Sequence, residues 1–348
     1  MIVVYIMLTT EILKEPEIIR ECVNQGLPYK LLSVKIKIVD KCNLRCKMCN
    51  HWRHYVEALP FDFYKPVIKD LVELGCQKIH FTGGEPMLYP NLLSLMEFIR
   101  QCDDNIKISM TTNATLIDEK VAKALAHSGL KKANISIDSP AESIHDTIRG
   151  VRGAFKKACY GFQCLRKYMP KRPFYINTIL SPWNYKTLIG FPKLAKELGA
   201  TGINLQSLNI HTAESSPFTA PQWDELITDI LPALLDEAKK YHIPIDIPQI
   251  CGNVNDYYTN HRCYALFSHL LINYLGIVTP CCNLLKTKMG DLHNNSIIEI
   301  WQGDKYKKLR QKQQLPIHPR CSTCDLCLKD NIIIDKLLSK TIETSNAY

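Results

Sequence analysis

The sequence contains no apolar run long enough to cross a bilayer, because none reaches the roughly 20 residues that a transmembrane helix needs. The apolar start at residues 1–8 has no basic residue before it and runs directly into Glu11, Lys14 and Glu15. It therefore does not match a secretory signal peptide. We expect a cytoplasmic protein that does not associate with a membrane.

Low-complexity segments and a strong composition bias are also missing. Apolar residues make up 46% of the chain and charged residues 22%, which excludes a disordered or collagen-like protein. The net charge of +9 is spread over all 348 residues and gives no reason to expect a nucleic-acid partner. The length exceeds the roughly 250–300 residues at which one hydrophobic core stops growing, so we expect a large domain with an appended smaller one.

Cysteine is the residue type in excess, with fifteen copies. An odd number in a chain without an export signal argues against a disulfide framework and favours metal binding or burial of free thiols. Two groups stand out, one within residues 42–49 and one within residues 251–327. The other five cysteines lie in apolar or helical contexts and are expected in the core: Cys22, Cys76, Cys102, Cys159 and Cys164.

Six strand-like segments alternate with five helical patterns between residues 34 and 210, one beginning at the N-cap Asp118 and the last covering 184–198, and a sixth helical pattern follows at 221–241. This period predicts a parallel sheet with right-handed crossovers that closes wholly or partly into a barrel, and ligands then bind at the carboxyl ends of the strands. The predicted fold class is α/β, a partial (β/α)6 barrel followed by a cysteine-rich C-terminal domain. The expected divisions are an N-terminal extension at 1–33, the barrel at 34–210, a connecting helix and strand at 211–250, the cysteine-rich domain at 251–330 and a tail at 331–348.

Three cysteines directly follow the first predicted strand, in the pattern Cys42-x3-Cys46-x2-Cys49. Structural zinc sites need four ligands, usually in two separated Cys-x2-Cys pairs. Three thiolates suit a [4Fe–4S] cluster with one iron left open, because such clusters are held by soft thiolate ligands. A partial zinc site or a group of surface thiols is the alternative.

This pattern resembles the radical S-adenosylmethionine (SAM) superfamily, and the resemblance covers about residues 34–210. The family usually has an aromatic residue before the third cysteine, where this chain has Met48. The resemblance implies that Cys42, Cys46 and Cys49 hold a [4Fe–4S] cluster whose open iron binds SAM. It also implies that one-electron cleavage of SAM produces a 5′-deoxyadenosyl radical, which abstracts a hydrogen atom from the substrate.

Short motifs at the ends of the later strands strengthen the resemblance. The segment 81–86, Phe-Thr-Gly-Gly-Glu-Pro, resembles the GGEP motif that holds the SAM amino group in the family. Segments 111–113 and 136–139 resemble positions that line the SAM ribose and carboxylate, and segment 144–150 resembles the one whose arginine pairs with the carboxylate. The resemblance thus implies these SAM-binding residues: Gly83, Gly84, Glu85, Thr112, Asn113, Ser136, Asp138 and Arg149.

The second cysteine group is similar to the SPASM and twitch domains that many radical SAM enzymes carry at their C-terminus. The chain is expected to be loop-like from Cys251, and the pattern of this group is Cys263-x12-Gly276-x4-Cys281 followed by Cys-x2-Cys-x2-Cys at 321–327. Gly276 permits a tight hairpin that returns the second cysteine to the first. The resemblance implies one auxiliary [4Fe–4S] cluster, because the two-cluster form needs more cysteines. A zinc ribbon built from the last three cysteines is the alternative. The expected ligands are Cys263, Cys281, Cys321 and Cys324, with Cys282 and Cys327 as other candidates.

The resemblance implies that the substrate lies between the two clusters. We expect an oxidation of a small or carbohydrate-like substrate, with the auxiliary cluster accepting the second electron. Only about 33 residues precede the first strand, too few for the leader-binding domain with which peptide-modifying relatives often begin. A redox-neutral epimerase, with Cys251 or Cys282 as hydrogen donor, and a peptide maturase stay open as alternatives.

Two further readings are less favoured. One is a protein that holds a cluster as a scaffold and catalyses no reaction. Such a protein would have no use for the SAM-binding motifs. The molybdenum-cofactor cyclases share the two-cluster plan but end in Gly-Gly, whereas this sequence ends Ser-Asn-Ala-Tyr348. The expected partners are a small-molecule or peptide substrate and an electron donor such as flavodoxin or ferredoxin.

Overall fold

The computed structural model describes residues 14–53, 56–207, 217–248, 263–312, 321, 331–336 and 338. All strands of these residues belong to one mixed sheet. The strands are β1 (Ser33–Val39), β2 (Lys78–Gly83), β3 (Lys107–Thr112), β4 (Leu130–Ser136), β5 (Phe174–Leu180), β6 (Gly202–Ser207), β7 (Ile245–Asp246), β8 (His269–Ile272), β9 (Ile277–Thr279) and β10 (Gly290–Asp291).

The strand order is β10-β9-β8-β1-β2-β3-β4-β5-β6-β7, and β1 to β6 pair in parallel in the order of the chain. This order confirms the predicted series of strand–helix units. Side chains alternate in burial along β1, where Val34, Ile36 and Ile38 are fully buried against the helices. Because neighbouring side chains of a strand point to opposite faces, Lys35 and Lys37 lie on the other face, which we call the inner face.

Helices connect successive strands and cover the outer face. Asp118 begins one of them as an N-cap, because its side chain accepts a hydrogen bond of 2.8 Å from the Val121 amide, as the sequence predicted. The helices are α1 (Pro16–Gln25), α2 (Phe61–Glu73), α3 (Leu92–Cys102), α4 (Glu119–His127), α5 (Glu142–Arg149), α6 (Ala154–Tyr168), α7 (Phe191–Leu198), α8 (Ala220–Glu225), α9 (Leu231–Tyr241), α10 (Ile297–Gln302) and α11 (Asp304–Gln311).

Two helical predictions need correction. The pattern at 221–241 predicted one continuous helix, but a π-helical turn at Leu226–Ile230 separates α8 from α9. Pro232 follows that turn and has no amide hydrogen for the regular α-helical ladder. The pattern at 184–198 also begins as a 3-10 turn, Tyr185–Gly190, before α7.

The C-terminal region is more regular than the sequence indicated. Residues after 251 were expected to be loop-like, yet β8 pairs in parallel with β1, with His269 opposite Ser33 and Ile272 opposite Ile36. Strand β9 returns antiparallel to β8 through a turn at Gly276, where φ is +74°. This turn is the hairpin that the glycine predicted, and it returns the chain along β8, so that β9, the strand before Cys281, is separated from β1 by β8.

Among the described helices, none combines the length and the apolar character that spanning a membrane demands.

Candidate active site

The loop with the first three cysteines follows β1 and is held by the end of α5. The Arg45 amide donates to the Arg149 carbonyl at 3.0 Å, and the Lys47 amide donates to the Ile148 carbonyl at 2.9 Å. The last carbonyls of a helix lack partners within the helix, so these bonds satisfy α5 and fix the loop together. Gly150 ends α5 with φ at +69°, and a Cβ there would lie 2.3 Å from the Arg45 carbonyl oxygen.

The three thiols lie in a partly buried environment with hydrogen-bond donors aimed at sulfur. Cys46 is buried, and Arg149 Nη1 donates to its Sγ at 3.7 Å. The Leu44 amide donates to Cys42 Sγ at 3.5 Å. Burial raises the pKa of the Cys42 thiol to about 12, so a metal centre would have to displace its proton. Donors to sulfur are among the features that tune thiolate-bound iron–sulfur clusters.

The donor set fits a cluster better than a single ion. Within the described part of the chain, no three His, Cys, Asp or Glu side chains converge closely enough to hold one metal ion. Thiolates around one zinc all lie about 2.3 Å from the same atom, whereas the ligands of a [4Fe–4S] cluster bind different irons and stand farther apart. Cys42, Cys46 and Cys49 would hold such a cluster at the carboxyl end of β1.

Gly83 and Gly84 let the end of β2 lie directly against this loop. The Gly84 amide donates to the Val39 carbonyl at 2.8 Å, and the Glu85 amide donates to the Lys41 carbonyl at 2.9 Å. A Cβ on Gly84 would lie 2.1 Å from the Lys41 carbonyl oxygen. Both glycines therefore position the cysteine loop. Their predicted contact with SAM stays a prediction.

Glu85 links the ends of β2 and β3. It is almost completely buried, and its carboxylate accepts hydrogen bonds from Thr112 Oγ1 at 2.6 Å, the Asn113 amide at 2.8 Å and the Met87 amide at 3.1 Å. Burial raises the pKa of Glu85, and these donors oppose the rise. The structure thus places Glu85 and Thr112 in one buried network, and their contact with SAM stays a prediction.

Asn113 connects β3 to the cysteine loop. Its Nδ2 donates to Asn43 Oδ1 at 2.8 Å and lies 4.0 Å from Cys42 Sγ. Ser136, at the end of β4, is half-buried. These two residues sit at the carboxyl edge of the sheet beside the loop, where the sequence placed them. Contact with SAM is a prediction for both.

Arg149 lies between the carboxylate of Asp138 and the thiol of Cys46. Its Nε is 2.7 Å from Asp138 Oδ2, and its Nη1 contacts Cys46. Burial disfavours the charged guanidinium, but Asp138 and then Cys46 outweigh this effect and raise the pKa of Arg149. Asp138 itself has no exposed surface. The pair balances charge beside Cys46. The contact with SAM that the sequence indicated stays a prediction for both residues.

One pair next to the loop was not found from the sequence. Asp40 is buried between β1 and Cys42 and forms an ion pair with His51 Nδ1. The ring of Tyr274, from the turn between β8 and β9, stands edge-on to His51 with centroids 6.2 Å apart. The only sequence signal was the position of Asp40 between a strand and the first ligand.

Three described cysteines of the second group, Cys263, Cys281 and Cys282, act on one another just beyond the end of β9. Burial raises the pKa of the Cys281 thiol, and the neighbouring Cys282 and Cys263 raise it further. Cys321 is buried. Cys251, Cys324 and Cys327 lie outside the described residues, so their predicted roles rest on the sequence. None of the described cysteines forms a disulfide.

Lys37 lies near both cysteine groups. Burial lowers the pKa of its ammonium group, while the thiols of Cys282 and Cys49 oppose that effect. The side chain projects from the inner face of β1, directly before the cysteine loop. The alternation of lysine and apolar residues along β1 is typical of a strand with one polar face. It does not show that this face points toward both cysteine groups.

Comparison with known proteins places this fold and site in a family. The model of the radical SAM superfamily matches residues 36–195, and the model of the SPASM iron–sulfur cluster-binding domain matches residues 263–325. The chain therefore belongs to the radical SAM superfamily and carries a C-terminal SPASM domain. Its cofactors are SAM, the [4Fe–4S] cluster that binds SAM, and auxiliary iron–sulfur in the SPASM domain.

Relatives with different names share this architecture. An AdoMet-dependent heme synthase from Methanosarcina barkeri is 25% identical over 311 residues, which is 82% of this chain and 85% of the relative. A GTP 3′,8-cyclase from Clostridium perfringens is 32% identical over 171 residues, 47% of this chain and 51% of the cyclase. The structure of Streptococcus suis SuiB bound to S-adenosylmethionine has a TM-score of 0.69 at 16% identity and covers 89% of this chain and 74% of SuiB. This likeness supports the fold alone.

Proposed function

We propose that this enzyme uses SAM-derived radical chemistry to oxidise a small polar substrate, and that one auxiliary cluster accepts the second electron. The observation that carries the proposal is the position of the β8–β9 hairpin, which leads to Cys281. The ring of Tyr274 in its turn stands edge-on to His51, two residues after Cys49, with centroids 6.2 Å apart. A substrate at the carboxyl end of β1 would then lie within reach of both metal sites. Electron transfer from the substrate to the second cluster needs this proximity.

When bound, the first cluster and SAM supply a radical that removes one hydrogen atom from the substrate. An oxidation removes two hydrogens in total. The second would leave as a proton, and the auxiliary cluster, which Cys263, Cys281, Cys321 and Cys324 would hold, would supply an acceptor for its electron. The protein's own contribution is to hold the cysteine loop through Gly84 and α5, to balance charge at Cys46 through Arg149, and to surround the substrate with the inner face of the sheet.

The size of the substrate is inferred from the relatives. Those that match over four fifths of this chain are named AdoMet-dependent heme synthase, and heme is a small organic molecule. This favours a small substrate, of which a carbohydrate-like molecule is one class, over a peptide. A peptide stays the alternative, because one structure of the fold neighbour SuiB holds its precursor peptide. We further propose that a flavodoxin or ferredoxin supplies the electron and that the enzyme acts in a reducing cytoplasm.

The first test is iron and sulfide content after anaerobic reconstitution, together with formation of 5′-deoxyadenosine from SAM under dithionite. We expect about eight irons in the wild type and about four in a Cys42/Cys46/Cys49→Ala variant, since each cluster holds four. SAM cleavage should be lost with the triad. A matched control is the Cys102/Cys159/Cys164→Ala variant, which removes three thiols outside both sites and should keep both clusters. Iron binding without SAM cleavage in the wild type would overturn the proposal.

The direction of the chemistry is tested by product mass with any compound that stimulates 5′-deoxyadenosine formation. A product lighter by two hydrogens supports oxidation. An unchanged mass, with solvent hydrogen incorporated at one carbon, would replace it with epimerisation. A crosslinked peptide would overturn the small-substrate assignment and retain the oxidation.

A further inference from the structure

The inner face of the sheet carries four lysines on neighbouring strands. Lys35 and Lys37 come from β1, Lys78 begins β2, and Lys132 lies on β4. Lys35 is opposite His80 in the pairing of β1 with β2, and Lys132 is opposite Ser109 in the pairing of β3 with β4. Because His80 is in turn opposite Ser109, Lys35 and Lys132 belong to one row across four strands.

These lysines have no carboxylate partner among the described residues. Lys78 and Lys132 are each only 6% exposed, and Lys132 Nζ makes no hydrogen bond to any described group. The ring of Tyr175 lies beneath it, 4.3 Å from Nζ to the centroid. A buried ammonium without a counter-ion is strongly unfavourable, so proteins rarely retain one unless something else neutralises it.

The charges are close enough to act on one another. Burial, and after it the charges of Lys132, Lys35 and Lys107, lower the pKa of Lys78 to about 7. Burial likewise lowers the pKa of Lys132 to about 8. His80 lies in the row between Lys35 and Lys132, and both of its ring nitrogens already have hydrogen-bond partners. Nδ1 is 2.9 Å from Ser109 Oγ, and Nε2 is 3.0 Å from Thr111 Oγ1. The four lysines therefore form a buried basic group without an internal anion, and a bound anion would favour their charged forms.

Amide side chains extend this polar lining toward the carboxyl edge of the sheet. Asn134, Asn177 and Asn204 lie on β4, β5 and β6, and each is at least nine-tenths buried. The Oδ1 atom of each has no hydrogen-bond partner among the described residues. Asn177 pairs in register with Ser136 and Asn204, one step nearer to the carboxyl edge than Asn134. One acid, Asp246 on β7, shares the far edge of this face with Asn204.

We propose that the lysine group Lys35, Lys37, Lys78 and Lys132 binds an anionic group of the substrate, a carboxylate or a phosphate. The amides Asn134, Asn177 and Asn204 would bind the polar part between that anion and the reacting carbon. This inference rests on the proposed function, because it assumes that the reacting carbon lies at the carboxyl edge beside Cys42, Cys46 and Cys49. A strand rises about 3.3 Å per residue, so the four residue steps from Lys132 to Ser136 span roughly 13 Å. The substrate would extend over about that distance.

The test is calorimetric titration of the reconstituted full-length enzyme with citrate and with inorganic pyrophosphate, at ionic strength matched with sodium chloride. One arm offers carboxylates and the other phosphates. Lys132→Met removes the central charge, and Lys131→Met removes an exposed charge from the neighbouring position of the same strand. Loss of a charge-assisted hydrogen bond should weaken binding about tenfold or more in Lys132→Met, whereas Lys131→Met should change it less than about twofold. Lys35→Met, on the partly exposed lysine, provides a second variant if Lys132→Met does not fold.

Binding of citrate that depends on Lys132 supports a carboxylate substrate, and binding of pyrophosphate supports a phosphate. Failure of both anions to bind beyond chloride overturns the inference, as does equal weakening by Lys132→Met and Lys131→Met. The proposed function is tested separately by SAM cleavage in the wild type. Cleavage without anion binding removes only this inference, and anion binding without cleavage removes only the proposed function.

Discussion

Asp138 and Arg149 form a buried ion pair, with Oδ2 of the aspartate 2.7 Å from Nε of the arginine. The pair joins the end of β4 to the end of α5, and the free end of the guanidinium reaches Cys46. Removing one partner of a buried pair leaves the other charge without compensation and is strongly destabilising. The ion pair that stabilises the barrel therefore also positions the thiol of Cys46.

The first prediction concerns this pair. Asp138→Asn should destabilise the reconstituted enzyme by about 3 kcal/mol, which for a chain of this length lowers the thermal midpoint by about 4 °C. Differential scanning calorimetry measures it. Glu142→Gln, which breaks the exposed pair with Lys156, should lower the midpoint by less than about 1 °C. The Asp138→Asn/Arg149→Met double variant should lose less than the sum of its single variants, and simple additivity would contradict the coupling.

The second prediction compares two glycines of the same conformation. Gly150 and Gly153 have φ values of +69° and +79°, so alanine is strained at both. Only at Gly150 would the Cβ meet the backbone, 2.3 Å from the Arg45 carbonyl oxygen, whereas nothing lies within 4 Å of it at Gly153. Gly150→Ala should displace the cysteine loop and lower iron content by about four per chain. Gly153→Ala should keep full iron content, and equal iron loss in both variants would show that strain alone is responsible.

The third prediction separates two adjacent cysteines. The thiols of Cys263 and Cys282 both raise the pKa of Cys281. The Cys282 thiol also raises the pKa of Lys37 on the inner face, against the effect of burial. Cys281→Ser should lower iron content from about eight to about four, and Cys282→Ser should leave it unchanged. Iron analysis with electron paramagnetic resonance of the reduced clusters checks both. Loss of the auxiliary signal in Cys282→Ser would make Cys282 the ligand. If Cys282→Ser keeps its iron but loses turnover, the thiol would be the hydrogen donor of an epimerase.

The fourth prediction concerns pH. An unfolded chain keeps Lys78 protonated up to its usual pKa of 10.5, whereas the folded chain releases that proton near 7. Between these values the unfolded state binds more protons, so the contribution of Lys78 to stability rises with pH. Lys78→Met should therefore exceed the wild type in thermal midpoint near pH 6.5, and the difference should shrink toward pH 10. Its size at low pH should be on the order of a few kcal/mol. A difference that does not depend on pH would mean that Lys78 is charged in the folded enzyme at all these values.

The sequence by itself determined the repeating strand–helix units, the cap at Asp118, the family and the order of the two cysteine groups. Each of these depends on residues close together in the chain, such as the alternation in β1 or the spacing of Cys42, Cys46 and Cys49. Local spacing fixes local geometry, so these features could be predicted.

The tertiary structure alone decided which distant groups meet. It paired β8 with β1, placed Asp138 against Arg149 and assigned Glu85 to a buried network with Thr112. It also gathered lysines of three strands on one inner face, although β2 and β4 begin some fifty residues apart. Register between strands and the burial of charge are set by the packing of the whole sheet, and no short stretch of sequence contains that information.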